Sequence, residues 1–94
     1  MDRQQTIELL NATHDFPCDF VLKVIGVAAD DFVARVVRAV CEEIAGGADP
    51  PYQLRRTPGG KHVSITLEPT LESAEQVLGI YHRLRSVDGV VLTM

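Results

Sequence analysis

Apolar residues recur along this chain in two rhythms. From His62 to Leu67 they alternate with polar residues at every step, the period of a strand with one buried and one open face. Val33, Val36, Val37, Val40 and Ile44 instead recur at three- and four-residue spacing, with Arg35, Arg38, Glu42 and Glu43 between them, which predicts an amphipathic helix. Asp30 or Asp31 is placed to cap its start, Gly46 and Gly47 to end it, and Pro50 and Pro51 to prevent continuation. A second helix follows Thr70 or Ser73. Ser73 with Gln76 has the spacing of a capping box, and Ala74, Val77, Leu78, Tyr81 and Leu84 form its apolar stripe to near Ser86.

Three further strands complete the pattern. Residues 19–25 are β-branched and aromatic after Pro17, residues 52–56 are a shorter strand, and residues 90–94 follow an Asp88-Gly89 turn. Thr57-Pro58-Gly59-Gly60 has the composition of a type II turn and folds residues 52–56 back onto residues 61–67. Residues 1–15 are polar apart from Ile7, Leu9 and Leu10 and read as an arm whose order the pattern leaves open. Residues 16–94 then read βαββαβ, one α+β domain. Right-handed crossovers turn that order into a ferredoxin-like sandwich, an antiparallel sheet in the order 4-1-3-2 with both helices on one face.

Composition narrows the classes. The chain has 94 residues, 46% apolar and 23% charged, which suits one globular domain rather than a disordered segment. A net charge of −4 disfavours nucleic acid and anionic lipid as partners. No apolar run approaches the roughly 20 residues of a membrane helix, and the opening residues lack a secretory pattern, so cytoplasmic residence is expected. Cys18 and Cys41 imply no disulfide framework.

An antiparallel sheet covered on one side leaves the other side to water or to a partner. Strand parity turns Phe20, Leu22, Val24, Val63, Ile65 and Leu67 toward the helices. It turns Val21, Lys23 and Ile25 outward together with His62, Ser64 and Thr66. Lys23, His62, Ser64 and Thr66 are therefore the candidate contact residues, flanked by Val21, Ile25 and Val91, and suit an anionic ligand or another protein surface. A merely solvated sheet face is the plain alternative.

Phe16-Pro17-Cys18-Asp19-Phe20 with Lys23-Val24-Ile25-Gly26, then Gly60 to Thr66, then Glu75-Gln76-Val77 with Tyr81, carry a resemblance to the YbeD-like family of small bacterial proteins over roughly residues 16–94. The resemblance implies a ferredoxin-like fold similar to the ACT regulatory domains that bind amino acids, and a regulatory role. His62 departs from it, since the resemblance expects tyrosine there.

Catalytic and metal chemistry find little footing. His14 and Cys18 make only half of a zinc set, and Cys18 has no Cys-x-x-Cys partner. Asp30-Asp31 and Glu42-Glu43 read as capping and solubility residues, and the glycines, Gly26 included, read as turn glycines rather than a phosphate loop. RNA-recognition domains share the topology but need aromatic residues where Lys23, His62, Ser64 and Thr66 stand. Arg55, Arg56, Lys61 and His62 form a local basic cluster that reads as a charged sheet edge. The expectation is a non-enzymatic regulatory or interaction module without cofactor or metal, taking a small anionic metabolite or a partner enzyme on the open face. The competing expectations are a homodimer joined through Val90, Val91 and Leu92 and an enzyme using Lys23, His62 and Ser64.

Overall fold

The computed structural model describes residues 2–29 and 31–94. Helix α1, Arg3–Thr13, occupies the stretch whose order the sequence left open. Its start is secured by a reciprocal pair: Gln5 N–H donates to Asp2 Oδ1 at 2.8 Å, and Asp2 N–H donates to Gln5 Oε1 at 3.2 Å. Leu10 turns inward against the core.

The extended run after Pro17 is split. A two-residue strand β1, Cys18–Asp19, pairs with a later one, β5, Thr70–Leu71, and only from β2, Leu22–Val27, does the chain enter the main sheet. The partner changes at Phe20, whose N–H donates to Pro69 O at 2.9 Å. The main sheet continues with β3, Tyr52–Arg56, β4, His62–Leu67, and β6, Val90–Thr93. Its order is β3-β4-β2-β6, every pair antiparallel. Gly60 N–H closes the β3–β4 turn onto Thr57 O at 2.9 Å, with Gly59 at φ +89°, the conformation that the third position of a type II turn requires.

Helix α2, Phe32–Cys41, buries Phe32, Val36, Val37, Ala39 and Val40. It ends before Gly46 and Gly47, which lie in a separate short 3₁₀ turn, Ala45–Gly47, at positive φ. Asp31 holds the cap position without a side-chain hydrogen bond, because its carboxylate lies 3.3 Å from Arg35 Nε instead; Asp30 lies outside the described residues. Helix α3, Ala74–Arg85, is capped by Ser73, whose hydroxyl accepts from Gln76 N–H at 3.2 Å. The return bond of the expected box is displaced by one residue, since Gln76 Oε1 accepts from Glu72 N–H at 2.7 Å.

The buried stripe of α3 differs from the expected one. Ala74, Val77, Ile80 and Leu84 are buried, while Leu78 and Tyr81 are only partly covered and line a cleft with Asp2, Arg3 and Thr6 of the α1 end. Because α1 packs beside α3, the helix has two covered sides, and Ile80 takes the core side that the sequence assigned to Leu78 and Tyr81.

Both helices α2 and α3 cover the face formed by Leu22, Val24, Val63, Ile65 and Leu67. Phe32, missing from the sequence-derived stripe, is fully buried. Gly26, expected in a turn, lies inside β2, where the ring of Phe32 occupies the place of a side chain. A Cβ built on Gly26 would fall 2.6 Å from Gly89 O and closer still to Phe32 Cζ. Neither neighbour is the loose end of a flexible side chain. Gly26→Ala is therefore expected to lose about 2–3 kcal/mol in urea denaturation. Combining it with Phe32→Leu, which shortens the obstructing ring, should cost less than the two single losses added together.

Candidate functional site

The open face of the sheet is assembled from residue pairs. Lys23 stands across from Thr66, Ile25 from Ser64, and Val27 from His62. Directly opposed residues have Cβ atoms about 5 Å apart, so Lys23, Thr66 and the diagonal neighbour Ser64 share one patch. His62 stands at the end of the row away from Lys23. It lies two residues from Ser64 and four from Thr66 along β4, about 7 and 13 Å at the usual strand rise, so Ser64 stands between it and the Lys23–Thr66 pair.

The next ladder brings in residues that parity within β2 and β4 did not supply. Gln53 pairs with Thr66 and Arg55 with Ser64, so Arg55 belongs to the patch rather than only to a charged edge. The signal was available: a tight turn at residues 57–60 fixes the hairpin register, and counting back from Ser64 reaches Arg55. Among the described residues the ion pairs engage Arg35 and Arg83, leaving Lys23 and Arg55 outside any of them.

On the other flank, Lys23 N–H donates to Met94 O at 2.9 Å and Met94 N–H to Lys23 O at 2.8 Å, and Leu92 pairs with Ile25. Leu92 and Met94 therefore border the patch. Val91, the expected neighbour, falls at a bulge between Ile25 and Gly26 that puts it out of step with Leu92. The face is thus divided, with apolar Ile25, Val27, Leu92 and Met94 beside polar and cationic Lys23, Gln53, Arg55, Ser64 and Thr66.

The other chemical candidates have structural roles. Arg83 of α3 donates from Nε to Glu43 Oε1 and from Nη1 to Glu42 Oε2, both at 2.6 Å, so these acids hold α2 to α3 rather than serving only solubility. Gln76 Nε2 adds a bond to Glu43 O at 2.6 Å. Arg35 lies over the Phe32 ring at 5.8 Å and donates from Nη1 to Asp88 O at 2.8 Å, while its Nε is buried without a hydrogen bond. His14 sits against Phe16 and Phe20, with ring centroids 5.9 and 5.0 Å away. Among the described residues no group of three or more His, Cys, Asp or Glu is placed to hold a metal ion.

Comparison with known proteins agrees with this geometry at the level of fold. Residues 11–94 match the model of the family described as "Protein of unknown function (DUF493)". The chain belongs to this family. A UPF0250 protein of Shewanella woodyi is 36% identical over 76 residues, 81% of this chain and 84% of the relative. One from Shewanella amazonensis is 31% identical over 86 residues, 87% and 96% of the two chains, and one from Sodalis glossinidius is 32% identical over 85 residues, 90% and 95%. Among solved structures, the ACT domain of a GTP pyrophosphokinase from Chlorobium tepidum superposes with a TM-score of 0.57 at 12% identity, covering 82% of this chain and 97% of that one. The DUF493 chain thus has an ACT-like, ferredoxin-like fold. None of its helices is long and apolar enough to cross a membrane among the described residues.

Both cysteines are free and partly covered. Cys41 closes α2, and its thiol donates to Gly47 O at 2.7 Å. Partial burial, with the carboxylates of Asp49 and Glu42 nearby, pushes its pKa above the ordinary thiol value. The reactive thiolate is correspondingly scarce at neutral pH. Asp49→Asn should accelerate iodoacetamide alkylation of Cys41 at pH 8 and move the midpoint of its rate–pH curve downward, as peptide mass mapping would record.

Proposed function

We propose that this protein is a non-enzymatic interaction module of the cytoplasm that docks onto a partner enzyme through the open face of its sheet and regulates it. One observation carries the reading. Val27, Leu92 and Met94 remain 46%, 48% and 55% exposed on the same face as Lys23, Arg55, Ser64 and Thr66, with Met94 next to Lys23 and Val27 across from His62. An apolar area rimmed by polar groups is characteristic of a contact surface in a soluble domain. Arg55 and Lys23 supply charge at its border, where they steer association and select an acidic counterpart. The regulatory element of the reading rests on the resemblance to ACT domains. A face without Phe, Tyr or Trp in the two central strands, on a chain of net charge −4, argues for a protein rather than a nucleic acid.

A second reading is favoured by the pairing of two cations with two hydroxyls. Lys23 and Arg55 on either side of Ser64 and Thr66 suit the carboxylate of a small metabolite. In a thermal-shift screen of amino acids and dicarboxylates, that reading requires a stabilising ligand whose effect is lost in both Lys23→Ala and Arg55→Ala.

Photo-crosslinking tests the docking reading. A benzophenone side chain introduced at Thr66 is expected to capture one enzyme in cells, and the same group at Arg85 on the outside of α3 to capture none. Lys23→Glu combined with Leu92→Asp should abolish the capture while leaving the melting temperature within a few degrees of the parent, because exposed positions contribute little to stability. The purified enzyme should change activity when the module is added. Equal capture from Arg85, or no capture from Thr66, overturns the proposal.

A further inference from the structure

A second surface lies at the opposite edge of the sheet from β6. Among the described residues strand β3 has a neighbour on one side only. Its backbone bonds to β4 are bracketed by Glu68 N–H to Pro51 O and Thr57 N–H to His62 O, both 3.0 Å. In an antiparallel ladder alternate residues bond to the partner, so Gln53 and Arg55 face β4, and the N–H and C=O groups of Tyr52, Leu54 and Arg56 point away from the sheet. An unpaired row of this kind is a template for an added strand.

Side chains deepen that template on the helical side. Tyr52 and Leu54 pair with Leu67 and Ile65 and so face the helical side, but are 45% and 52% exposed, since α2 packs over β2. The gap is a groove with two parts that share Val33. One, of ≈ 600 Å³, is lined by Ala34, Val37 and Tyr52, the other, of ≈ 170 Å³, by Ala28 and Leu54. Arg56 stands at one end, with Lys61 near it through its carbonyl bond to Ala28 N–H at 3.1 Å. Arg38 stands at the other end, together with Asp49 and Cys41. Arg55 borders the same strand on the open face. Three arginines and a lysine outnumber Asp49 and Glu68 there, although the chain as a whole carries a charge of −4.

We propose that the β3 edge takes an extended acidic segment of a partner protein as an additional strand. Every second side chain of that segment is apolar and fills the groove between β3 and α2, and the intervening side chains are carboxylates that meet Arg55 on the open face. Charge decides the occupant. A second copy of this chain seated edge to edge would bring the Arg55 and Arg56 side chains of both molecules to one seam, whereas an acidic strand sets its carboxylates against Arg55 and its net negative charge near Arg56 at the groove end. This surface shares Arg55 with the open-face contact proposed above, but the strand edge and the groove beside α2 belong to it alone, so shifts at Tyr52, Leu54 and residues 33–38 distinguish the two.

The test uses the full chain labelled with ¹⁵N and two synthetic seven-residue peptides, acetyl-Glu-Val-Glu-Ile-Glu-Val-Glu-amide and its counterpart with lysine at each glutamate. The acidic peptide is expected to shift the amides of residues 33–38 and 52–56, to weaken as salt is raised, and to leave the amides of Leu92 and Thr93 unmoved. The lysine peptide should bind at least tenfold more weakly. Arg55→Ala with Arg56→Ala should reduce the acidic peptide's affinity about tenfold, and Leu54→Asp, also at an exposed position, should abolish binding with the spectrum otherwise retained. Equal binding of the two peptides, shifts confined to the open face, or no shift at millimolar acidic peptide overturns the proposal. So does a doubled mass in light scattering accompanied by amide protection at residues 52, 54 and 56, which would assign the edge to a second copy.

Discussion

The seat of Phe32 against Gly26 is the contact on which the arrangement of the other parts depends. The ring fills the space beside a backbone without a side chain, so α2 approaches the central strand β2 more closely there than any Cβ would permit. The turn before β6 closes around the same ring: Gly89, at φ +96°, lies next to it, Val27 N–H donates to Gly89 O at 2.9 Å, and Arg35 reaches across to Asp88 O. Strand, helix and turn thus meet at one aromatic side chain. Since β2 pairs with both β4 and β6, fixing α2 on its inner side also determines which residues of three strands are left outside.

Parity makes most of that outer face legible in the sequence alone. Lys23 in an otherwise apolar run and the strict alternation of His62 to Leu67 each have one consistent phase, and the structure follows both. The separation of His62 from Lys23 was not legible at that level, because parity assigns a face but not a position along it; that needs the register of β2 on β4. Arg55 was recoverable from the hairpin count, since turn length fixes which residues oppose one another.

Other elements escaped for different physical reasons. Phe32 is in step with Val36 and Val40, at i, i+4 and i+8, so the helical spacing itself could have placed it one turn ahead of Val36 on the buried side of α2. The α1 helix has few apolar residues and depends on Asp2 and Gln5 at its start, a signal too short to stand out in a polar segment. The split of residues 18–27 between two sheets is invisible in composition, since both parts are extended; only the partner strand differs. Ile80 and Leu78 are two residues apart on a helix, and choosing which meets the core requires knowing that α1 occupies one flank.

The irregular pairing of β2 with β6 has a bearing on how the last strand finds its place. Val90, Val91 and Leu92 are so alike that sliding the strand by one step would exchange one aliphatic group for another, with little energy to distinguish the alternatives. The extra residue opposite Gly26 removes that translational sameness, because only one alignment puts the doubled position against a residue with no Cβ. A terminal segment of four residues is thereby keyed like the odd tooth of a lock rather than left to slip along its neighbour.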